Sequence, residues 1–186
     1  MDAIRVDGEI VLRQVAASDA DHLYRLIEAD RTYLEDWLPW VESIRTIDDE
    51  RRWIERMASL DDRDRDRDRE QPYAIEHLGV VVGGIGITIE PMNHSGEIGY
   101  WLAEAMQGRG IATRACEALV DHAFRSRGLH RVFIRVAVEN RRSRAVPERL
   151  GFVLEGTQRE SLYADGRHDD AAVYSMLAPE WTARKR

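Results

Sequence analysis

The residues with the most legible chemistry are Gln107, Gly108, Arg109, Gly110, Ile111, Ala112 and Thr113, which follow Gly99-Tyr100-Trp101-Leu102 after four residues. They stand where a strand pattern gives way to a helical stripe that begins at Ile111. The first N–H groups of a helix have no partner within it, and the aligned peptide dipoles leave partial positive charge there. Such an end binds a phosphate-like anion without a cationic side chain. Glycine at that point lets the anion come close to the main chain. The Lys-Ser/Thr ending of a P-loop is missing and the three-glycine spacing of a dinucleotide fingerprint is not met, so another phosphate-bearing ligand is expected. Alone, the segment would suit equally a glycine-softened loop that leads into a core helix.

A second segment adds to it. The next strand ends in Val136-Ala137-Val138-Glu139-Asn140, and Ser143, Val146, Glu148, Arg149, Leu150, Gly151 and Phe152 follow. The pair of segments resembles the GNAT superfamily of N-acetyltransferases. The pyrophosphate loop of that family, Gln/Arg-x-x-Gly-x-Gly/Ala, is met by Gln107, Gly110 and Ala112. Its later motif, Asn-x-x-Ser-x-x-Val-x-Glu-Lys-x-Gly-Phe, is met by Asn140, Ser143, Val146, Glu148, Arg149, Gly151 and Phe152, with Arg in place of Lys. Asp30-Arg31, Leu34, Trp37-Leu38-Pro39-Trp40 and Gly99-Tyr100-Trp101-Leu102 resemble the RimJ/RimL-type branch. The likeness runs from about Glu9 to Leu177.

The resemblance implies an α+β GNAT fold: a twisted, mostly antiparallel sheet of about seven strands flanked by helices, with one parallel pair splayed apart. Those two strands should be Glu97 to Leu102 and Arg131 to Val138. It further implies acetyl-CoA as the cofactor, bound at residues 107–113, with backbone groups of Trp101 and Leu102 bonding the pantetheine arm and Asn140 contacting it. Ser143 lies where some members use a serine to give a hydrogen bond or proton to the departing thiolate; a Ser just past a strand is also a common helix N-cap. The acceptor is expected to be the N-terminal amine of a ribosomal protein, with a small amine (aminoglycoside, polyamine or amino-acid derivative) as the alternative. A non-catalytic acyl-CoA sensor is the rival from another class. A homodimer is suggested by resemblance alone.

The amine must be neutral to attack. An α-amine, with a pKa of about 7.7 to 8.0, is already roughly a tenth free at neutral pH, whereas a lysine at about 10.4 needs far more help. Glu97 and Glu160 are the candidate bases. RimL-type enzymes place a glutamate on the late strand at the position that aligns with Leu162 here. Residues two apart share a strand face, so Glu160 is positioned to substitute, although either glutamate is also an ordinary exposed strand residue. Arg31, Tyr33, Trp37 and Trp40 are assigned to the acceptor side, where aromatic faces hold a cationic or peptide substrate; both tryptophans would serve also as wedges between helices and sheet. Cys116 falls on an apolar helical stripe and reads as core.

Around these residues the periodicity predicts a strand at Glu9 to Arg13, a helix capped by Ser18 or Asp19, a helix over Asp30 to Val41 that ends in an aromatic bend, and a helix over Asp48 to Leu60. Asp61 to Glu70 alternates Asp and Arg and reads as a solvated loop. An antiparallel meander follows over Tyr73–His77, Val80–Ile89 and Glu97–Leu102, then a helix from Gly110 that Gly128 ends. Arg131 to Val138, a helix over Ser143 to Leu150, and strands at Phe152–Tyr163 and Asp169–Leu177 complete the order. With 186 residues, 44% hydrophobic and 33% charged, one globular domain over 1–186 is expected. One Cys and six unclustered His supply neither a disulfide nor a metal site. A net charge of -7 argues against a nucleic-acid binder, and no apolar run reaches membrane-spanning length. The cytoplasm is the expected compartment.

Overall fold

The computed structural model describes residues 3–59 and 70–184; the Asp/Arg run at 61–69 lies outside them. Eight strands form one sheet: β1 (Ile4–Arg5), β2 (Ile10–Gln14), β3 (Glu70–His77), β4 (Val80–Glu90), β5 (Ser95–Leu102), β6 (Arg131–Ala137), β7 (Val153–Ala164) and β8 (Arg167–Leu177), in the order β1-β2-β3-β4-β5-β6-β8-β7. The helices are α1 (Ala20–Ala29), α2 (Arg31–Glu35), α3 (Ile47–Ser59), α4 (Ile111–Arg125), α5 (Arg141–Arg149) and α6 (Ala178–Arg184). The strand missing from the sequence reading is β1. Two residues are too few to show a period, and a turn in which Asp7 Oδ1 accepts the N–H groups of Glu9 and Ile10 folds it onto β2.

The meander β3-β4-β5 is antiparallel as expected, and its first turn places Leu78 and Gly79 both at positive φ, the geometry of a two-residue hairpin loop. Among the described strands only β5 and β6 run parallel. Alternation along β5 and β6 divides the sheet into two faces. Ile98, Leu102, Val132, Ile134 and Val136 pack with Ile111, Ala115, Cys116 and Leu119 of α4 in the main core. On the other face Trp101 joins the clusters made with α1, α2 and α3. Burial takes the Cys116 thiol up to about 12, which suits a core residue and no nucleophile.

Two helices differ from expectation. The Asp30–Val41 stretch is interrupted: α2 spans five residues, and Pro39 then opens a 3-10 turn over Pro39–Ser43. Asp19 turns back to the Ala16 N–H and to Arg13, at 2.8 and 2.7 Å, and makes no cap bond to α1.

Candidate active site

Parallel pairing of β5 with β6 covers Ser95–Arg131, Gly96–Val132 and Glu97–Phe133 and then stops. Past that point β5 pairs only with β4 and β6 only with β8, so the strands part and leave a wedge open toward their C-terminal ends. The direction of each backbone group at the wedge follows from one bond. Ala103 N–H donates to Val82 O on β4 at 3.0 Å. By alternation the Trp101 peptide group also faces β4, while the N–H groups of Tyr100 and Leu102 face the gap. The expectation for Trp101 as a main-chain ligand is therefore corrected: its backbone is used by the sheet, and the N–H groups left facing the gap are those of Tyr100 and Leu102. Gly83 makes this possible, because a Cβ there would collide with the Trp101 carbonyl.

At the mouth of the wedge the loop 107–110 enters α4. Gly108 and Gly110 both have φ of 73°, a conformation that L side chains rarely adopt. Among the described residues no carbonyl or side chain accepts from the N–H groups of Gly108, Arg109, Gly110, Ile111, Ala112 or Thr113; the first helical bond is Arg114 N–H to Gly110 O. Six free amides at a helix start fit a diphosphate. The Ile111 side chain is buried in the core and Arg109 projects into solvent, so what the loop offers is backbone. Gln107 holds it in place. Its Nε2 donates to Leu102 O at 3.3 Å, and its Oε1 accepts from Tyr33 and Arg142 at 3.3 and 3.2 Å. Asp30, whose role the sequence did not reveal, accepts the Glu104 N–H at 2.7 Å and ties the first helices to the same loop.

Asn140 is the N-cap of α5, its Oδ1 accepting from Ser143 N–H at 3.0 Å. Ser143 is therefore the third residue of the helix and not its cap, which frees its hydroxyl. α5 is fastened from behind: Arg144 donates to Tyr174 Oη and to Val138 O, and Tyr174 donates to Glu148 at 2.7 Å. The Ser143 hydroxyl donates to the Tyr100 oxygen at 3.2 Å across the wedge. Tyr100 belongs to the motif Gly-Tyr-Trp-Leu but carried no side-chain assignment from sequence; only the register that faces it to α5 reveals one.

The opposite face holds the remaining residues. Gly99 is exposed, and a Cβ built on it meets nothing within 4 Å. On the same face Trp101 lies to one side, its ring 5.9 Å from that of Trp40, and Glu97 lies to the other. Glu97 is clamped by Arg135 through two bonds of 2.8 and 3.0 Å, one to each carboxylate oxygen, which fixes its carboxylate beside β6. Trp37 sits under Arg167 from the β7–β8 turn, 5.8 Å from ring centre to guanidinium carbon, and the same guanidinium donates to Asp36 O.

Two further expectations are corrected. Arg31 gives all five of its N–H groups to the protein: two bonds to Glu28, one to Glu35 and one each to the carbonyls of Val41 and Ile44. It braces the segment between α2 and α3 and has no donor left for a substrate. Glu160 does not share a face with Leu162. The pairing of β7 with β8 slips between Gln158 and Leu162, Glu160 adopts φ of 47°, and its N–H is taken by Asp170 Oδ1 at 2.8 Å. A bulge there removes the two-residue alternation on which the expectation rested.

Comparison with known proteins agrees with this geometry. The model of the acetyltransferase (GNAT) domain matches residues 9–153. The putative ribosomal N-acetyltransferase YdaF of Bacillus subtilis (strain 168) is 35% identical over 187 residues, covering 97% of this chain and 98% of that protein. The ribosomal-protein-serine acetyltransferase of Escherichia coli (strain K12) is 32% identical over 177 residues, covering 95% and 97%. Among solved structures, the ribosomal L7/L12 alpha-N-protein acetyltransferase RimL in complex with coenzyme A superposes with a TM-score of 0.88 at 28% identity, over 95% of this chain and 98% of that one. The family model spans well over half of the sequence, and the chain belongs to the GNAT acetyltransferases, which move an acetyl group from acetyl-CoA to an amine.

Proposed function

We propose that the protein acetylates the N-terminal α-amine of a protein substrate, a ribosomal protein foremost, by direct attack on the thioester without an acyl-enzyme. The observation that carries this reading is the parting of β5 from β6 after Glu97 and Phe133, next to six unpaired amides at residues 108–113. The amides hold the diphosphate, and the N–H groups of Tyr100 and Leu102 bond the pantetheine arm and face the thioester carbonyl, where negative charge gathers as the amine attacks. Holding both reactants in one slot makes the attack effectively intramolecular, a larger lever than any single acid or base. Ser143 gives its hydrogen bond to the sulfur that departs.

The relatives' names and the poverty of bases support this acceptor. Glu97 is occupied by Arg135 and Glu160 is turned out of the pleat. An α-amine, roughly a tenth neutral at pH 7, tolerates that lack, whereas a lysine ε-amine does not. The space over Gly99 between Glu97 and Trp101, with Trp40 and Trp37 beyond, receives it. Ribosomal proteins are made in the cytoplasm, which fits a single-domain enzyme whose described helices are all too short or too polar to cross a membrane.

The test is acetyl-CoA with a panel of amino-terminal peptides of ribosomal proteins, peptides whose only amine is lysine, polyamines and aminoglycosides, followed by thiol release. Peptide α-amines are expected to give the highest kcat/KM. Release with small amines alone would move the acceptor class. Tight coenzyme A binding with no release for any amine would leave a sensor.

A further inference from the structure

Helix α5 carries a proline in its interior. Pro147 has no N–H, so the carbonyl four residues earlier, that of Ser143, has no donor within the helix. The donor comes instead from the strand across the wedge: the Tyr100 hydroxyl gives its hydrogen to Ser143 O at 2.8 Å. The Ser143 hydroxyl in turn donates to the Tyr100 oxygen at 3.2 Å. One phenol thus makes a donated and an accepted bond to the same serine, and both hydroxyls have a direction.

We propose that Tyr100 is a positioning residue for the acetyl transfer, and that Pro147 makes it one by freeing the Ser143 carbonyl that orients the Tyr100 hydroxyl. This rests on the reading that Ser143 serves the departing thiolate. Hydroxyls are free rotors unless a partner fixes them. With the Tyr100 hydrogen committed to a backbone carbonyl, only its lone pairs face Ser143, and the serine hydrogen is held at the gap. When the amine nitrogen bonds to the acetyl carbon and the carbon–sulfur bond breaks, its electron pair stays on sulfur. The Ser143 hydroxyl then turns from a neutral phenol oxygen to an anionic sulfur, since a charge-assisted bond is about twice as strong as a neutral one. Tyr100 stays on the carbonyl, so no backbone group is bared during the turn, and no bond to its hydrogen is broken. The proton lost by the amine reaches solvent or the thiolate without passing through the phenol. Burial pushes the Tyr100 phenol far above its ordinary value, which keeps it neutral throughout.

Tyr100→Phe is expected to lower kcat about tenfold, roughly the effect of one hydrogen bond, with coenzyme A affinity changed less than about twofold. The pH profile should keep its shape and lose only height. Ser143→Ala added to Tyr100→Phe should cost nothing further, because the two act as one unit. Thermal stability tests the proline. Tyr100→Phe should lower Tm in the unaltered chain, where it bares the Ser143 carbonyl, but not with Pro147→Ala, which returns an N–H to the helix; that background also rescues the variant should it fold poorly. Multiplicative losses in kcat from Tyr100→Phe and Ser143→Ala, an unchanged kcat, or equal Tm losses in both backgrounds would overturn the proposal. Failure of the unaltered protein to release thiol with any amine would overturn the enzymatic reading and this one with it, before a variant is made.

Discussion

Glu50 offers a prediction that reads the packing of α3 directly. It lies one turn before Ile54 on the inward face of the helix and is 4% exposed, and burial alone acts on its carboxyl, with no side-chain partner among the described residues. Burial pushes its carboxyl up from 4.5 to about 7. Because the folded state holds this proton more tightly than the unfolded chain, the contribution to stability is complete below pH 4.5 and is lost as pH rises toward 7. Above 7 both states are ionised and the deficit is constant. At about 1.4 kcal/mol per unit, the interval between the two values amounts to about 3 kcal/mol, a ceiling that local relaxation lowers. Glu50→Gln preserves the shape and removes the titration, although a buried amide without partners carries its own penalty of about 1–3 kcal/mol at every pH. The quantity to follow is therefore the difference between variant and parent, from urea unfolding at pH 4.5, 6, 7 and 8. That difference should grow in favour of the variant by about 2–3 kcal/mol across the series and level off above 7. A difference that stays flat would show that Glu50 titrates alike in both states and that its burial has no electrostatic consequence.

Two substitutions test the two faces of the site. Gly110→Ala adds a side chain that meets no neighbour but must sit at φ of 73°, which costs about 1–2 kcal/mol or draws the loop out of its left-handed turn. Calorimetry should find coenzyme A binding weakened by up to about tenfold; unchanged affinity would mean that the amides of this loop do not hold the diphosphate. Gly84→Ala puts a Cβ 2.7 Å from Trp101 Nε1, so the indole must move off the sheet at an overpacking cost of about 1–3 kcal/mol. The KM for the amine should rise several-fold while coenzyme A affinity holds, and the reverse pattern would place Trp101 on the cofactor side.

What the sequence disclosed and what it hid differ in kind. The free amides of the loop before α4 were legible because they are a main-chain property: two glycines and a helix start imply them whatever the surroundings. β5 and β6 were legible as apolar strands, and the family resemblance put the wedge between them. Side-chain roles failed where a distant backbone decides them. Nothing near Arg31 in sequence announces that a 3-10 turn ten residues on will bring the carbonyls of Val41 and Ile44 to its guanidinium. Glu160 was misplaced because a bulge opposite Asp170 cancels the alternation used to orient it. Asn140 and Ser143 were both noticed, but which of the two caps the helix depends on where α5 begins, and that lay two residues before the expected start.

The division of labour in the site comes down to the period of one strand. On β5, Glu97, Gly99 and Trp101 face the side covered by the first three helices, while Ile98, Tyr100 and Leu102 face α4 and α5. The same alternation points the N–H groups of Tyr100 and Leu102 into the gap and that of Trp101 onto β4. A single extended segment can therefore lay amides along the pantetheine arm, hold a serine on one face through Tyr100, and line the amine's approach on the other. A one-residue slip of β5 against β4 would exchange every one of these roles at once. Gly83 and Gly84 guard against it, since only in the observed register do two positions without a Cβ stand opposite the Trp101 carbonyl and beneath its indole.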